Sequence, residues 1–140
     1  MAIPKHLRLE FVTPERTIAH DEVDEVQLPG EEGYFGVLPG HAPLLASLVT
    51  GEMWYRKGAE RIHAFVADGF AEVVPDRVSI LAQVAERSDD IDEQRAEAAR
   101  RRAEDLLKSP VTDMDFERAR IALLRAITRL EISRHARRRR

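Results

Sequence analysis

Glycine, proline and aromatic residues are concentrated in the first part of this chain, and that segregation limits how it can fold. All seven glycines precede residue 70, six of seven prolines precede residue 76, and seven of eight aromatic residues precede residue 71. From Asp90 onward the chain is mainly Arg, Ala, Glu and Leu. Glycine and proline mark turns between strands, whereas these later residues favour helix. We therefore predict two structurally different parts that join near residues 85–90.

The length and the absence of cysteine exclude several classes of protein. A chain of 140 residues supports one domain, or a small domain with an appendage, and is too short for a TIM barrel. Without cysteine there is no disulfide scaffold, thiolate zinc site or cysteine nucleophile. No apolar run approaches the ~18 residues of a membrane span, and the first residues do not resemble a signal peptide. We expect a chain that does not insert directly into a membrane.

The net charge of −3 conceals two opposite contributions. Residues 1–84 carry 7 basic and 13 acidic side chains, whereas residues 85–140 carry 15 basic and 12 acidic ones. Five of the later basic side chains belong to the tail Arg134–Arg140. Such a tail suits nucleic acid, an acidic protein surface or anionic lipid, and it also suits a disordered, solubilising end. The charge pattern alone leaves these roles open.

The first part has the alternation and the turns of a β module. Apolar and polar residues alternate over residues 7–11, which predicts a half-buried strand. Lys57-Gly58 and Asp68-Gly69 each separate two apolar segments, so each predicts a hairpin. The segment from Gly33 to Leu45 contains three glycines and two prolines, which predicts a tightly turned connection with positive φ angles.

The second part has the signals of two antiparallel helices. Asp90 and Glu93 resemble a capping box, Pro110 ends the first helix, and Thr112 starts the second. The predicted apolar stripe of the first helix is Ala96, Ala99, Ala103 and Leu106. The predicted apolar face of the second helix is Phe116, Ala119, Leu123, Ile127 and Leu130. An alanine seam buries little area, so we expect a hairpin of marginal stability that moves.

Together these patterns predict an α+β chain with two domains. Residues 1–86 would form an antiparallel β-sandwich or flattened barrel, and residues 87–140 an antiparallel two-helix hairpin with a basic tail.

No enzyme motif accompanies the histidines. The five histidines have no metal-ligand spacing, and a hydrolase that uses His41 or His63 with Asp68 has no supporting motif. A small β-barrel that binds nucleic acid through its basic tail is the alternative function. The net charge of −6 over residues 1–84 disfavours it.

The arginines of the helical part recur at helical spacing. Arg95 and Arg102 share a face of the first helix, and Arg118, Arg125 and Arg129 share a face of the second. If those faces adjoin, five guanidinium groups line one groove, which would suit phosphate. In the alternative, these arginines pair along their own helices with acidic neighbours, as solvated surface. Those neighbours are Asp92, Glu97, Glu104 and Glu117.

Four strings of residues together resemble one known family. The strings are Val26–Gly33 with Gly36–Leu45, then Gly69–Val73, then Ile91-Asp92-Glu-Gln-Arg95-Ala96. In this order they resemble the epsilon subunit of bacterial F-type ATP synthase, and the resemblance covers nearly the whole chain. It implies a non-catalytic rotor subunit of the proton-translocating complex, peripheral on the cytoplasmic face of the bacterial plasma (inner) membrane.

The resemblance also implies partners for each part. The sandwich would sit against the gamma subunit and the c-subunit ring, with Tyr34, His41, Ala42 and Pro43 at that interface. The family often has an acidic residue where Tyr34 stands, and Ala67-Asp68-Gly69 departs from its usual gamma-facing edge. The hairpin would inhibit ATP hydrolysis when it extends into the alpha/beta catalytic head, and the basic tail would strengthen that brake.

Finally, the resemblance implies a regulatory ligand, with no cofactor required. Some members of the family bind ATP in the folded hairpin. The matching positions here are Glu86, Asp92, Arg95, Arg102, Arg118, Arg125 and Arg129.

Overall fold

A computed structural model of the chain describes residues 2–109 and 112–138. It divides into two compact units, Met1–Arg87 and Ser88–Arg140. Within the described residues, the first unit contains eight strands, and the second contains a 3₁₀ turn at Ser88–Asp90 and two helices. The strands and helices are β1 (Leu7–Val12), β2 (Thr17–Val23), β3 (Glu25–Gly30), β4 (Gly33–Val37), β5 (Leu44–Leu48), β6 (Gly51–Lys57), β7 (Glu60–Val74), β8 (Arg77–Arg87), α1 (Glu93–Lys108) and α2 (Asp113–Arg138). The predicted fold class, a β-sandwich followed by two helices, is confirmed.

The strands of the first unit form one connected network. Its order is β2-β1-β8-β7-β5-β3-β4, and β6 pairs with both β3 and β7. All strand pairs are antiparallel except β1 with β8, which is parallel. The prediction of a wholly antiparallel module did not contain this parallel pair. Its two strands are far apart in the sequence, and local alternation gives no information about partners.

Alternate residues of the strands build the core of the first unit. Leu7, Leu9 and Phe11 are fully buried, as their alternation predicted. Met53 and Tyr55 on β6 follow the same period of two. Tyr55 places its hydroxyl 3.1 Å from Arg87 Nη2, which donates to it. Burial raises the pKa of this tyrosine.

The predicted hairpin at Asp68-Gly69 is wrong, because the chain continues there as one strand. β7 runs from Glu60 to Val74, and both halves pair with β8 in one register. The first half also pairs with β6 and the second with β5. Asp68 has a φ of 55°, a left-handed conformation that aspartate tolerates better than most side chains. The Asp-Gly pair therefore marks an irregular residue within a long strand. The hairpin at Lys57-Gly58 is confirmed, and Gly58 has a φ of 61°.

The glycine-rich segment from Gly33 to Leu45 contains more regular structure than predicted. It forms β4, a six-residue connection, and the start of β5. Gly33 and Gly40 adopt the predicted positive φ, at 127° and 90°, whereas Gly36 lies within the strand without it. The Gly40 amide donates to the Pro75 carbonyl at 2.8 Å, which ties the connection to the turn between β7 and β8.

Asp24 holds the turn between β6 and β7 in place. The Gly58 amide donates to its Oδ2 at 2.7 Å, and His6 Nδ1 lies 2.9 Å from its Oδ1. The hydrogen bond from Gly58, and then the one from His6, lower the pKa of Asp24. Lys57 on the same turn donates to Asp21 at 2.7 Å, and that bond lowers the pKa of Asp21.

We expect the first unit to lose stability in acid through Asp24. A carboxyl with a lowered folded-state pKa stabilises the fold above its unfolded pKa of about 3.9, and that contribution disappears as the pH falls through the folded value. Thermal unfolding of the full chain between about pH 5 and pH 2 measures it. Asp24→Asn should flatten this pH dependence, whereas Glu15→Gln, at an exposed carboxyl, should leave its slope unchanged. Parallel slopes for wild type and Asp24→Asn would contradict this role.

The start of the first helix differs from the prediction. Asp92, not Asp90, is the N-cap of α1, because its side chain accepts the Arg95 amide at 3.1 Å. Asp90 instead ends the 3₁₀ turn. At the start of α2, Thr112 Oγ1 accepts the Asp115 amide at 3.0 Å, as predicted. Pro110, the predicted helix end, lies outside the described residues.

The predicted apolar faces are confirmed at Ala96, Ala103, Ala119 and Leu130, which are buried, and are wrong at three other positions. Leu106, Phe116 and Ile127 are exposed, although the spacing placed them inside. The buried positions of α1 are Ala96 and Ala103. Those of α2 are Ala119, Ala126, Leu130, Ile132 and Ser133. We call the six other than Ile132 the seam. Small residues dominate it, so the hairpin encloses little apolar area of its own.

Candidate functional site

The two helices of the second unit run antiparallel. Ser133, near the end of α2, donates from its hydroxyl to Glu93 Oε1 in the first turn of α1 at 2.8 Å. Because successive helical residues are about 100° apart, the residue before each seam position lies on one side of it, and the residue after lies on the other. In an antiparallel pair, the positions just before the seam fall on the same side of the hairpin in both helices.

All five arginines singled out by spacing lie one residue before a seam position. They precede Ala96, Ala103, Ala119, Ala126 and Leu130, respectively. We call this set the arginine flank: Arg95, Arg102, Arg118, Arg125 and Arg129. The first three are exposed and the last two are half-buried. The hairpin therefore brings the five guanidinium groups to one side of the helix pair, which is the arrangement that the adjoining-faces hypothesis requires.

Three of the four acidic residues proposed as alternative partners bind other arginines. Arg100 contacts Glu97 and, at 2.6 Å, Glu104, and the hydrogen bond from Arg100 lowers the pKa of Glu97. Glu117 binds Arg120 at 3.0 Å. These contacts occupy the side of the hairpin opposite the arginine flank. These acids therefore contact arginines outside the flank, and the phosphate site at the flank stays a prediction.

Two further residues of the predicted ATP set have other positions. The Asp92 carboxylate caps α1 through the Arg95 amide, so it organises the helix start. Glu86 lies on β8, in the first unit. Their assignment to a ligand stays a prediction.

The residues predicted for the c-ring and gamma interface lie at and beside the connection between β4 and β5. His41 Nδ1 donates to the Ala42 carbonyl at 2.6 Å, and the His41 amide donates to the Leu38 carbonyl at 3.1 Å. Ala42 and Pro43 are exposed. Tyr34 on β4 is 59 % exposed. This connection presents small and ring side chains on a backbone that is fixed by its own hydrogen bonds.

An exposed apolar patch, which the sequence analysis missed, continues from β5 across β7 to β8. Phe70 pairs directly with Leu81 across the strands, and Leu45 lies diagonal to Phe70 on β5. Their exposures are 46 %, 47 % and 69 %, respectively. We call these three residues the outer patch. The sequence signal that could have revealed it is a pair of consecutive apolar residues in β8, Ile80 and Leu81. Because successive strand residues face opposite sides of the sheet, one residue of such a pair is exposed.

His63 is buried beside an acid other than Asp68. Its Nδ1 lies 2.7 Å from Glu52 Oε1, and the side chain is 3 % exposed. In the part of the chain that the structure describes, no group of three or more His, Asp or Glu side chains is placed to hold a metal. Neither described helix is long and apolar enough to cross a membrane.

Comparison with known proteins agrees with this two-part architecture. Residues 6–88 match the model of the ATP synthase delta/epsilon chain β-sandwich domain, and residues 89–134 match that of its long α-helix domain. An ATP synthase epsilon chain of Nitratidesulfovibrio vulgaris is 44 % identical over 128 residues, which cover 91 % of this chain and 96 % of the relative. One of Desulfosudis oleivorans is 54 % identical over 106 residues, covering 75 % and 80 %.

A solved structure shares the fold. It is a chain from a structure of the Euglena gracilis mitochondrial ATP synthase, containing OSCP, F1 and the c-ring. It superposes with a TM-score of 0.82 at 24 % identity and covers 91 % of this chain and 81 % of the other. Both domain models match in order and span nearly all of the chain, and the relatives align with most of it. The chain therefore belongs to the ATP synthase epsilon-chain family.

Proposed function

We propose that this chain is a non-catalytic rotor subunit of a proton-translocating ATP synthase. It would link the gamma subunit to the c-subunit ring, peripherally on the cytoplasmic face of a bacterial plasma membrane. Family membership supports the assignment to the complex, and the two-unit architecture supports a division between a docking part and a regulatory part.

The first unit offers two surfaces for these partners. Ala42 and Pro43 are exposed beside the hydrogen-bonded His41, which suits contact with the polar loops of the c-ring. The outer patch adjoins the edge at residues 67–69, the edge that the family resemblance assigns to gamma. Exposed apolar side chains gathered on one sheet face are typical of a protein interface. We therefore assign the outer patch to gamma.

The second unit is proposed as a brake on ATP hydrolysis. The observation that carries this proposal is the seam, in which five of six residues are alanine or serine. A helix pair held by so little apolar area can separate at low cost, as a switch between a folded and an extended state requires. In the extended state α2 would reach the alpha/beta catalytic head.

Removing the hairpin tests this proposal directly. We expect the assembled complex to hydrolyse ATP several-fold faster with a chain truncated after Arg87 than with the full chain. Equal incorporation of both chains with gamma must be verified first, because loss of the subunit would also change the rate. Equal rates with equal incorporation would refute the brake and leave the docking role standing.

We further propose that the arginine flank binds the phosphates of a regulatory ATP in the folded hairpin. Five guanidinium groups gathered on one side of a helix pair attract a polyanion. Guanidinium groups bind phosphate oxygens in pairs, which suits a triphosphate lying between two helices. ATP would then favour the folded state, in which the flank exists, over the extended one.

A further inference from the structure

One carboxylate ties the two ends of the hairpin together. Glu93 Oε1 accepts a hydrogen bond from the Ser133 hydroxyl at 2.8 Å and lies 2.7 Å from Arg137 Nη2. Ser133 is buried, whereas the Arg137 side chain is 60 % exposed and that of Glu93 is 33 % exposed. We call these three residues the latch. They join the first turn of α1 to the last turns of α2.

A second acidic residue, in the next turn of α1, also attracts the basic end of α2. Glu97 is attracted by the charge of Arg134, one residue beyond the latch serine. A groove of about 460 Å³ on this side of the hairpin is lined by Glu93, Glu97, Leu130 and Arg134, among others. The basic end of α2 thus lies along an acidic stretch of α1. Arg139 and Arg140 lie outside the described residues.

We propose that the latch holds the hairpin folded and so opposes the brake. This inference rests on the proposed function, because it assumes a hairpin that opens. An exposed ion pair contributes little alone, but a hydrogen bond from a buried hydroxyl to a carboxylate contributes more. The latch therefore biases the equilibrium and does not lock it. Arg137 of the basic tail serves the folded state through Glu93, in competition with any acidic surface that would attract it in the extended state.

Thiol labelling measures the opening, because the chain contains no cysteine of its own. Ala126 is 1 % exposed in the seam, so a thiol introduced there by Ala126→Cys reacts only when the hairpin opens. In that background, Ser133→Ala should raise the labelling rate about 3- to 10-fold and Arg137→Gln about 2- to 5-fold. Arg138→Gln is the matched control: it removes the same charge about 100° around the helix and should leave the rate unchanged.

Charge exchange separates the latch from general loss of helix stability. Glu93→Arg and Arg137→Glu should each accelerate labelling, and the double variant should return toward the wild-type rate if the two side chains act on each other. Circular dichroism at the same temperature checks that helix content is retained. Rates that are equal for wild type, Ser133→Ala and Arg137→Gln would overturn the latch.

The assembled complex distinguishes failure of the latch from failure of the brake. With the brake in place, Ser133→Ala should slow ATP hydrolysis, because more of the hairpin extends. Faster hydrolysis with Ser133→Ala would overturn the latch. If truncation after Arg87 leaves hydrolysis unchanged while Ser133→Ala still accelerates labelling, the brake is refuted and the latch is supported.

Discussion

Replacing Arg125 with glutamine is expected to weaken ATP binding by the full chain about 10- to 100-fold. The side chain is half-buried on the arginine flank, next to the seam residue Ala126. A charge-assisted hydrogen bond contributes about 1.5–3 kcal/mol, which corresponds to that loss of affinity. Isothermal titration calorimetry at fixed ionic strength measures it, because affinity between polyions depends on salt.

The control for this variant lies on the other side of the hairpin. Arg101 is exposed, and its Nε lies 3.7 Å from Glu97, away from the arginine flank. Arg101→Gln removes the same charge from the chain and should change the ATP affinity less than twofold, because exposed charges at a distance are screened. If both variants lose affinity equally, binding follows net charge and the flank is not a site. If the wild type shows no binding, the regulatory ligand is refuted.

That the five arginines share one side of the helix pair could be predicted from the sequence only in part. Spacing of seven and four residues places Arg118, Arg125 and Arg129 together on α2 whatever the seam is. Whether that face adjoins Arg95 and Arg102 depends on which residues point inward. The prediction placed Ile127 inside because it is larger than its neighbour Ala126. That assignment rotates the predicted buried face by one residue, or about 100°. Small residues form this seam because they let the helices approach closely, and a search for large apolar residues misses them.

The division into two parts was predictable because it rests on composition. Turn-forming residues end where the helical residues begin, and the structure divides the chain between Arg87 and Ser88. Strand partners were not predictable in this way. Asp68-Gly69 has the local signal of a hairpin, yet the strand continues because β8 pairs with it on both sides of Asp68. The hydrogen bonds between β7 and β8 outweigh the cost of the positive φ angle at Asp68. A local sequence pattern cannot predict this, because it does not show which strands pair.

Gly69 is where this long strand tolerates no side chain. A Cβ added there would lie 2.5 Å from the Leu81 carbonyl oxygen and 3.0 Å from the Ala82 Cα. Both contacts are with the backbone of β8, which cannot retreat without breaking its ladder with β7. We expect Gly69→Ala to lower the free energy of unfolding of the first unit by about 2–4 kcal/mol.

Gly36→Ala is the matched control for this loss. Gly36 also lies in a strand, its φ is not positive, and a Cβ there would have no neighbour within 4 Å. Its cost should stay within about 0.5 kcal/mol. Urea unfolding followed by fluorescence of Trp54, the single tryptophan, reports on the first unit alone. If both variants lower the free energy of unfolding by the same small amount, the backbone of β8 must shift at Leu81 to make room for the added Cβ. In that case the outer patch would lie on strands that can deform. Gly69→Ala would then weaken the proposed contact with gamma without unfolding the sandwich.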